Sequence, residues 1–316
     1  MLTNCSEPER RQLASTRAPH PRAASHGTGG WTNRESDYPA DSSQAEALSA
    51  HLVSCGLSPR SPAPGIVICE QYAQVVLATD PVTFISNLDA RVPKVGRGGT
   101  IQHGRLQWVT GNHVDLQYRG NDLNRRKIWI QDGPTDEEML IYSYTGWNNC
   151  IAFATSNWND DSALTSLCQR HNSVNAASGL PASNHGIVTA YDSEADNIGF
   201  HTDKHRSLAP DAGIFVVKMG AVGRRFAIRT LLSGNMKQLD VTPFFDEVLA
   251  PGTLIFMTAG ANQLTQHAVP IESSPIGLSG SIVWRTITDR RSVASLSKKA
   301  AHVLEERRAR KRQRAT

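Results

Sequence analysis

The sequence predicts a mainly β protein with flanking helices, built as a sandwich, jelly roll or barrel. Between residues 187 and 287, short β-rich segments follow one another with turn residues between them. No strands alternate there with long helical segments, which disfavours a doubly wound nucleotide-binding fold. Hydrophobic residues make up 39% of the chain, enough for a buried core, and no apolar run approaches the roughly 18 residues of a membrane-spanning helix.

The first 61 residues lack the apolar content of a packed domain. They are rich in Ser, Ala, Pro, Arg and Gly, a composition that cannot bury enough apolar surface to offset the entropy of ordering the chain. We therefore expect residues 1–61 to be mostly disordered. Residues 43–55 are an exception, because Ala45, Leu48 and Leu52 follow a helical spacing.

Residues 62–292 form the predicted folded domain, in which helices are few. Asp80 is placed to cap a short helix over residues 80–90, and a second helix is predicted over residues 161–177, where Leu164 and Leu167 share one face. The predicted strands are residues 65–69, 73–78, 100–109, 113–118, 127–131, 187–191, 198–201, 213–219, 225–230, 253–258, 266–270 and 281–287.

The C-terminal segment, residues 293–316, is a basic tail that can form a helix. Residues 298–316 contain eight Lys or Arg and two Glu, for a net charge of +6, whereas the other 297 residues together carry −2. Such a run attracts nucleic-acid phosphates, serves as a nuclear address, or is a solvated tail with no partner. Its composition does not choose among the three.

The cysteines and the first residues bear on the compartment. The five cysteines are odd in number, widely spaced and in no CxxC arrangement, which argues against a disulfide framework and a structural zinc site. The chain start lacks the basic and apolar regions of a secretory signal. We expect an intracellular protein of the nucleus or cytoplasm that does not associate with membranes.

Three residues far apart in the sequence predict a metal centre. His201 and Asp203 are separated by one residue at the end of a predicted strand, so their side chains project to the same side. His267 lies on a later strand. Two histidines and one carboxylate form the facial triad that holds Fe(II) and leaves other positions open for a co-substrate and O2. We predict these three residues as the metal ligands and the catalytic centre.

Arg285 is a guanidinium in an otherwise apolar strand. A buried cation needs an anion. That anion is either a carboxylate of the core or the carboxylate of a dicarboxylic co-substrate whose other end binds the metal. Tyr191, at the end of another strand, can donate its hydroxyl to the same carboxylate, or it is an ordinary core residue.

From Tyr142 to Arg291, about half of the chain, the sequence resembles the AlkB-like Fe(II)/2-oxoglutarate-dependent dioxygenases. Arg285 and Arg291 meet the Arg-x5-Arg pattern of that family. The other matching segments are Leu167-Cys168-Gln169-Arg170, the strand that ends at Tyr191, His201-Thr202-Asp203-Lys204, Gly252-Thr253-Leu254-Ile255-Phe256 and His267.

The resemblance implies a double-stranded β-helix, or jelly-roll, core. Its Fe(II) ligands are His201, Asp203 and His267, and 2-oxoglutarate is bound by Arg285, Tyr191 and Arg291. The implied reaction is oxidative demethylation of N-alkylated bases in DNA or RNA, as in nucleic-acid repair. It consumes O2 and releases formaldehyde, succinate and CO2, and nucleic acid is the implied partner.

Three positions depart from the family pattern. Thr189 stands where the family has an asparagine that contacts the co-substrate. His205 stands where members acting on methylated adenine or cytosine often place an acid, which leaves the base undetermined. In an alternative alignment Arg285 is the second family arginine and Ser279 takes the place of the first. Arg285 remains the predicted carboxylate anchor, because no other arginine lies in its strand.

Residues 139–147 resemble the substrate lid of the family. Tyr142, Tyr144 and Trp147 are predicted to stack on a base flipped out of the duplex, and His205 completes the predicted substrate residues. The other interpretation of this segment is a half-buried strand with alternating aromatic residues.

Two other functions of the protein stay open. One is the same chemistry on a carbon-methylated base, a protein side chain or a small molecule, and the other is a non-catalytic nucleic-acid-binding barrel.

Overall fold

The structure is a computed structural model of the 316-residue chain. All described residues belong to one compact unit, Tyr38–Thr316. The predicted basic tail lies outside the described residues. The structure describes residues 39–102, 104–111, 125–135, 138–143, 151–203, 207–209, 211–231, 241–274 and 276–292.

Helices lie on the periphery of a β-rich body. The described helices are α1 (Pro39–Ser54), α2 (Tyr72–Val75), α3 (Pro81–Arg91), α4 (Ser162–Ala177) and α5 (Ala259–Leu264). The described strands are β1 (Arg60–Ala63), β2 (Ile66–Cys69), β3 (Lys94–Val95), β4 (Trp108–Val109), β5 (Arg126–Gln131), β6 (Glu138–Ser143), β7 (Ile151–Phe153), β8 (Ser156–Asn157), β9 (His185–Tyr191), β10 (Ile198–His201), β11 (Ile214–Gly220), β12 (Arg224–Thr230), β13 (Phe245–Leu249), β14 (Leu254–Met257), β15 (Thr265–Val269), β16 (Ser279–Arg285) and β17 (Arg290–Ser292).

The three longer helices correspond to the predicted ones, and side-chain caps fix where two of them begin. The carboxylate of Asp80 accepts a hydrogen bond from the Thr83 amide (2.8 Å) at the start of α3. The carboxylate of Asp161 does the same for Leu164 (3.0 Å) at the start of α4. Each bond satisfies a backbone N–H that has no partner within its helix.

Two predicted strands are wrong in extent or type. Residues 73–78 were expected as a strand, but the chain forms the short helix α2 there. Gln71 precedes α2 in a left-handed conformation (φ 59°), which turns the chain away from the sheet after β2. Of the strand predicted over 100–109, only β4 forms, because the preceding residues are largely exposed and have no sheet neighbour among the described residues.

Strands β9–β16 form a jelly roll, which confirms the predicted fold class. One sheet contains the order β14-β11-β16-β9, and the facing sheet has the order β10-β15-β12-β13. Every neighbouring pair within these two orders is antiparallel. Along the chain, β9 to β12 and β13 to β16 alternate between the two sheets. Strands β1-β2 and β5-β4-β3 extend the first sheet at its two edges.

The first sheet separates an apolar core from a more polar interior. Its outer face carries Phe215, Val217 and Trp284, which belong to one buried cluster with residues of α1, α3 and α4. Alternate residues of the same strands face the second sheet. Lys218 and Arg285 lie on this inner face, so the jelly roll brings charged groups between its sheets.

Candidate metal centre

Two neighbouring strands bring the three predicted metal ligands together. His201 on β10 and His267 on β15 are register partners, and their ring centroids are 4.3 Å apart. Asp203 follows His201 by two residues, and its Oδ1 lies 3.8 Å from His201 Nε2. One ligand atom from each residue lies within 4.8 Å of those of the other two. The sequence pattern and the strand register therefore converge on one point.

The donors fit a divalent transition metal such as Fe(II). Two imidazole nitrogens and one carboxylate oxygen are the ligand set of a facial Fe(II) site, and the three ligand atoms lie within 4.8 Å of one another. His201 Nδ1 donates to the Gly199 carbonyl oxygen (2.9 Å), which leaves Nε2 as the nitrogen with a free lone pair. Burial lowers the pKa of His201, and it lowers that of His267 to about 3. Both imidazoles are thus neutral at pH 7, as ligation requires.

Asp203 is held from the opposite sheet. Arg285, at the end of β16, donates to Asp203 Oδ2 from Nε (3.1 Å) and Nη2 (2.6 Å). The Tyr142 hydroxyl donates to Oδ1 (2.8 Å). Burial alone would raise the pKa of Asp203, but Arg285 and the two histidines outweigh it, and the pKa lies far below its ordinary value. The carboxylate is therefore ionised and fixed in orientation.

The backbone of Asp203 is clamped by Asn262. The Asp203 amide donates to Asn262 Oδ1 (3.0 Å), and Asn262 Nδ2 donates to the Asp203 carbonyl oxygen (3.0 Å). Asn262 is fully buried in α5, directly before the strand that carries His267. A single short segment thus positions two of the three ligands.

Solvent reaches the centre on the His201 side. The His201 side chain is 37% exposed, whereas Asp203 and His267 are buried. The His201 imidazole is therefore open to solvent on one side and packed against the His267 imidazole on the other.

The other predicted site residues are distributed unevenly. The guanidinium of Arg285 is hydrogen-bonded to the Asp203 carboxylate, so of the two anions predicted for it the structure shows the protein carboxylate. Tyr191 is buried on the inner face of the first sheet. Arg291 lies on β17, a different strand from Arg285, and its side chain is outside the described residues.

The predicted substrate lid is described only in part. Tyr142 is buried and uses its hydroxyl on Asp203, and the Arg285 guanidinium lies 4.5 Å from its ring centroid. His205, Tyr144 and Trp147 lie outside the described residues.

Sequence reasoning missed four buried polar residues of the jelly roll. They are His185, Lys218, Arg224 and Asn262. Lys218 and Arg224 carry the signal that identified Arg285, a cation within a strand. His185 is the register partner of Arg285, and neither of its ring nitrogens has a hydrogen-bond partner in the described part of the chain. Nothing in the sequence distinguishes Asn262 from a loop asparagine.

No helix in the described part of the chain is both long and apolar enough to span a membrane. No protein-family model matches the sequence, and a search of curated proteins finds no match.

Three solved structures are similar over most of the chain. The structure of OsALKBH1 is 14% identical with a TM-score of 0.40, and the overlap covers 72% of this chain and 100% of that one. An oxidoreductase of the 2OG-Fe(II) oxygenase family from Burkholderia pseudomallei is 12% identical with a TM-score of 0.38, covering 77% and 89%. A Trichoplax adhaerens prolyl hydroxylase, in complex with a fragment of the hypoxia inducible factor oxygen degradation domain, is 10% identical with a TM-score of 0.41, covering 77% and 90%.

Proposed function

We propose that this protein is an Fe(II)/2-oxoglutarate-dependent dioxygenase that removes N-linked alkyl groups from the bases of DNA or RNA. The observation that carries the enzyme class is the triad of His201, Asp203 and His267 inside a jelly roll, with the carboxylate held by a buried guanidinium. Facial two-histidine, one-carboxylate sites with open positions are typical of non-haem Fe(II) oxygenases.

Some residues of the centre bind the metal ion, and others orient Asp203. The triad holds the ion, and Arg285, Tyr142 and Asn262 fix the position and charge of Asp203. Bound Fe(II) with 2-oxoglutarate and O2 supplies the oxidising power, since decarboxylation to succinate and CO2 is coupled to hydroxylation of a substrate C–H bond. A hydroxymethyl group on nitrogen then leaves as formaldehyde, which restores the unmodified base.

Nucleic acid as the substrate is supported by the sequence. The segments shared with the AlkB-like enzymes include the metal ligands and the aromatic residues of the lid, and residues 298–316 carry a net charge of +6. A basic segment adds affinity for phosphates that weakens as the salt concentration rises. The triad does not select the base, and the position of His205 gives no acidic acceptor for an exocyclic amine.

One observation favours a second candidate, the same chemistry on a protein side chain or a small molecule. Tyr142 was expected to stack on a flipped base, but it is buried and its hydroxyl is bonded to Asp203. A side chain committed to the metal ligand offers no face to a base.

Succinate formation separates these alternatives. The full chain is incubated with Fe(II), 2-oxoglutarate and ascorbate, and succinate is measured with methylated oligonucleotide, unmethylated oligonucleotide or no addition. Formaldehyde and the demethylated base are measured in parallel. Asp203→Asn serves as the matched control, because it retains the size of the ligand and removes its charge.

We expect succinate, formaldehyde and demethylated base in proportion when the methylated oligonucleotide is present. Succinate formation that ignores nucleic acid favours the second candidate. If the protein binds the metal but produces no succinate under any condition, the dioxygenase proposal is contradicted and the non-catalytic nucleic-acid-binding barrel remains.

A further inference from the structure

An arginine lies on the outer face of the second sheet, behind the metal centre. Arg229 is on β12, and its register partner on β15 is Gln266, the residue directly before His267. Adjacent residues of a strand project to opposite faces. Because His267 faces the metal centre, Arg229 and Gln266 face away from it, toward the outside of the jelly roll.

Two neighbours hold the Arg229 guanidinium in one orientation. Its Nε (3.0 Å) and Nη2 (2.9 Å) both donate to Gln266 Oε1. Its central carbon lies 4.0 Å from the ring centroid of Phe200, the residue directly before His201. A planar cation stacked on a ring and bonded along one edge is oriented in advance for a ligand at its other edge.

That other edge of the guanidinium is unused. Nη1 of Arg229 makes no hydrogen bond to the described residues, and it is not one of their fully enclosed atoms that lack a partner. This nitrogen therefore stays open to solvent, although Arg229 as a whole is only 8% exposed. An anion can reach the guanidinium from this side without displacing Gln266 or Phe200.

The charge of Arg229 has no acidic partner within the described part of the chain. Burial lowers the pKa of Arg229 from 12.5, and no acidic group counteracts the shift. The group still carries its charge at pH 7. By contrast, Arg225 lies on the same face of the same strand and is paired through two hydrogen bonds with Asp246. A largely covered cation with only neutral partners is a binding position for an anion.

The place of Arg229 favours a phosphate of nucleic acid over a carboxylate. Strand β10 is at the edge of the sheet, and on its other face the His201 side chain is 37% exposed. Arg229 and His201 lie two strands apart, about 10 Å. Each strand of a nucleic-acid duplex carries a phosphate about every 3.4 Å. A strand with one nucleotide at His201 therefore always has a phosphate near Arg229, whereas a peptide has a carboxylate there only in particular sequences.

We propose that Arg229 binds a backbone phosphate of the nucleic-acid strand whose nucleotide is presented to the metal centre. This inference rests on the proposed function and adds the surface that positions the strand. It also gives Gln266 a role, because an acidic residue in its place would neutralise the guanidinium and repel a phosphate. A phosphate contact fixes the register of the strand and does not read the base.

The test measures the binding of a single-stranded oligonucleotide with one methylated base by fluorescence anisotropy. The full chain is loaded with Mn(II), so that the substrate is bound without turnover. Arg229→Met should weaken binding about tenfold, as expected for the loss of one charge-assisted hydrogen bond. It should also reduce the slope of log Kd against log salt concentration by about 0.7, the value for one phosphate of a single strand.

Arg225→Met is the matched control. It removes one positive charge from the same face of β12, but that charge is already paired with Asp246. We expect its affinity for the oligonucleotide to stay within about threefold of the wild type. Arg229→Lys keeps the charge and loses the planar fork, so its affinity should lie between those of the wild type and Arg229→Met. Thermal unfolding verifies that all three variants fold.

A scan of the oligonucleotide identifies the phosphate. Each linkage within three nucleotides of the methylated base is replaced in turn by a neutral methylphosphonate. One linkage should weaken binding to the wild type about tenfold and binding to Arg229→Met less than about twofold, because the contact is already absent in the variant.

The outcomes separate this inference from the function beneath it. Unchanged oligonucleotide affinity in Arg229→Met, an equal loss in Arg225→Met, or equal effects of every methylphosphonate on wild type and variant each overturn the inference. So does a loss of affinity for a glutamate-rich peptide alone, which assigns the position to an acidic protein. Oligonucleotide binding that depends on Arg229, without succinate formation, refutes the dioxygenase and retains the phosphate contact. A wild type that binds no oligonucleotide refutes nucleic acid as the partner and the inference with it.

Discussion

Replacing Asp203 by alanine tests whether this residue is a structural counterion as well as a metal ligand. Its side chain is 4% exposed and accepts two hydrogen bonds from Arg285, whose side chain is 6% exposed. Alanine leaves the buried guanidinium without that carboxylate and removes the acceptor of the Tyr142 hydroxyl. We therefore expect the metal-free protein to lose stability. A residue that served only the metal would leave the metal-free fold unchanged.

The expected loss is large compared with that of an ordinary substitution. Removing one partner of a buried ion pair costs about 3–5 kcal/mol, and the lost hydrogen bond from Tyr142 adds about 1 kcal/mol. We expect the free energy of unfolding of Asp203→Ala to fall by about 4 kcal/mol or more. Guanidinium chloride unfolding in the presence of a chelator measures it, because wild type and variant are then compared without metal.

Two further proteins control this experiment. His201→Ala also removes a predicted metal ligand, but that side chain is 37% exposed and is not bonded to Arg285, so we expect a change below about 1 kcal/mol. The double variant Asp203→Ala/Arg285→Met should regain much of the loss, because the guanidinium of Arg285 is then no longer buried without its counterion. Equal stability of Asp203→Ala and His201→Ala, or no recovery in the double variant, would refute the reasoning.

Three other substitutions test the surrounding structure. Asn262→Ala removes both hydrogen bonds to the Asp203 backbone, each worth about 1 kcal/mol; we expect Mn(II) affinity and unfolding free energy to fall together, and wild-type affinity in a calorimetric titration contradicts a positioning role. Burial lowers the pKa of His171 from 6.5 to about 3. Between pH 6.5 and about pH 3 the unfolded state therefore binds more protons than the folded state, and the free energy of unfolding falls as the pH falls, by up to about 1.4 kcal/mol per pH unit. His171→Gln should flatten that slope in unfolding curves, and an identical slope speaks against it. Gly213→Ala forces a methyl group into the Phe256 ring, and we expect the free energy of unfolding to fall by about 1–3 kcal/mol. An unchanged midpoint in denaturant unfolding would contradict this expectation.

The jelly roll was predictable because its strands are short, apolar and closely spaced. Strand β10 has the predicted bounds, and β9, β11 and β12 differ from theirs by one or two residues. Strand β13 was missed, since three of its five residues are exposed and the segment lies at the edge of its sheet, where no apolar alternation is needed. The single turn of α2 was taken for a strand because buried residues in so short a segment show no helical period.

The convergence of the three predicted metal ligands follows from the sequence for a different reason from the contacts of the residues around them. His201 and Asp203 are separated by one residue at a strand exit, and His267 is a lone strand histidine, so residue type and strand position suffice to pair them. What Arg285 contacts depends on which side chain of the facing sheet lies opposite, and sequence spacing does not encode that distance. The rule that a cation in an apolar strand needs an anion applies equally to Arg285 and Lys218. The structure shows that Arg285 meets the carboxylate of Asp203, whereas no ion pair of Lys218 is found among the described residues.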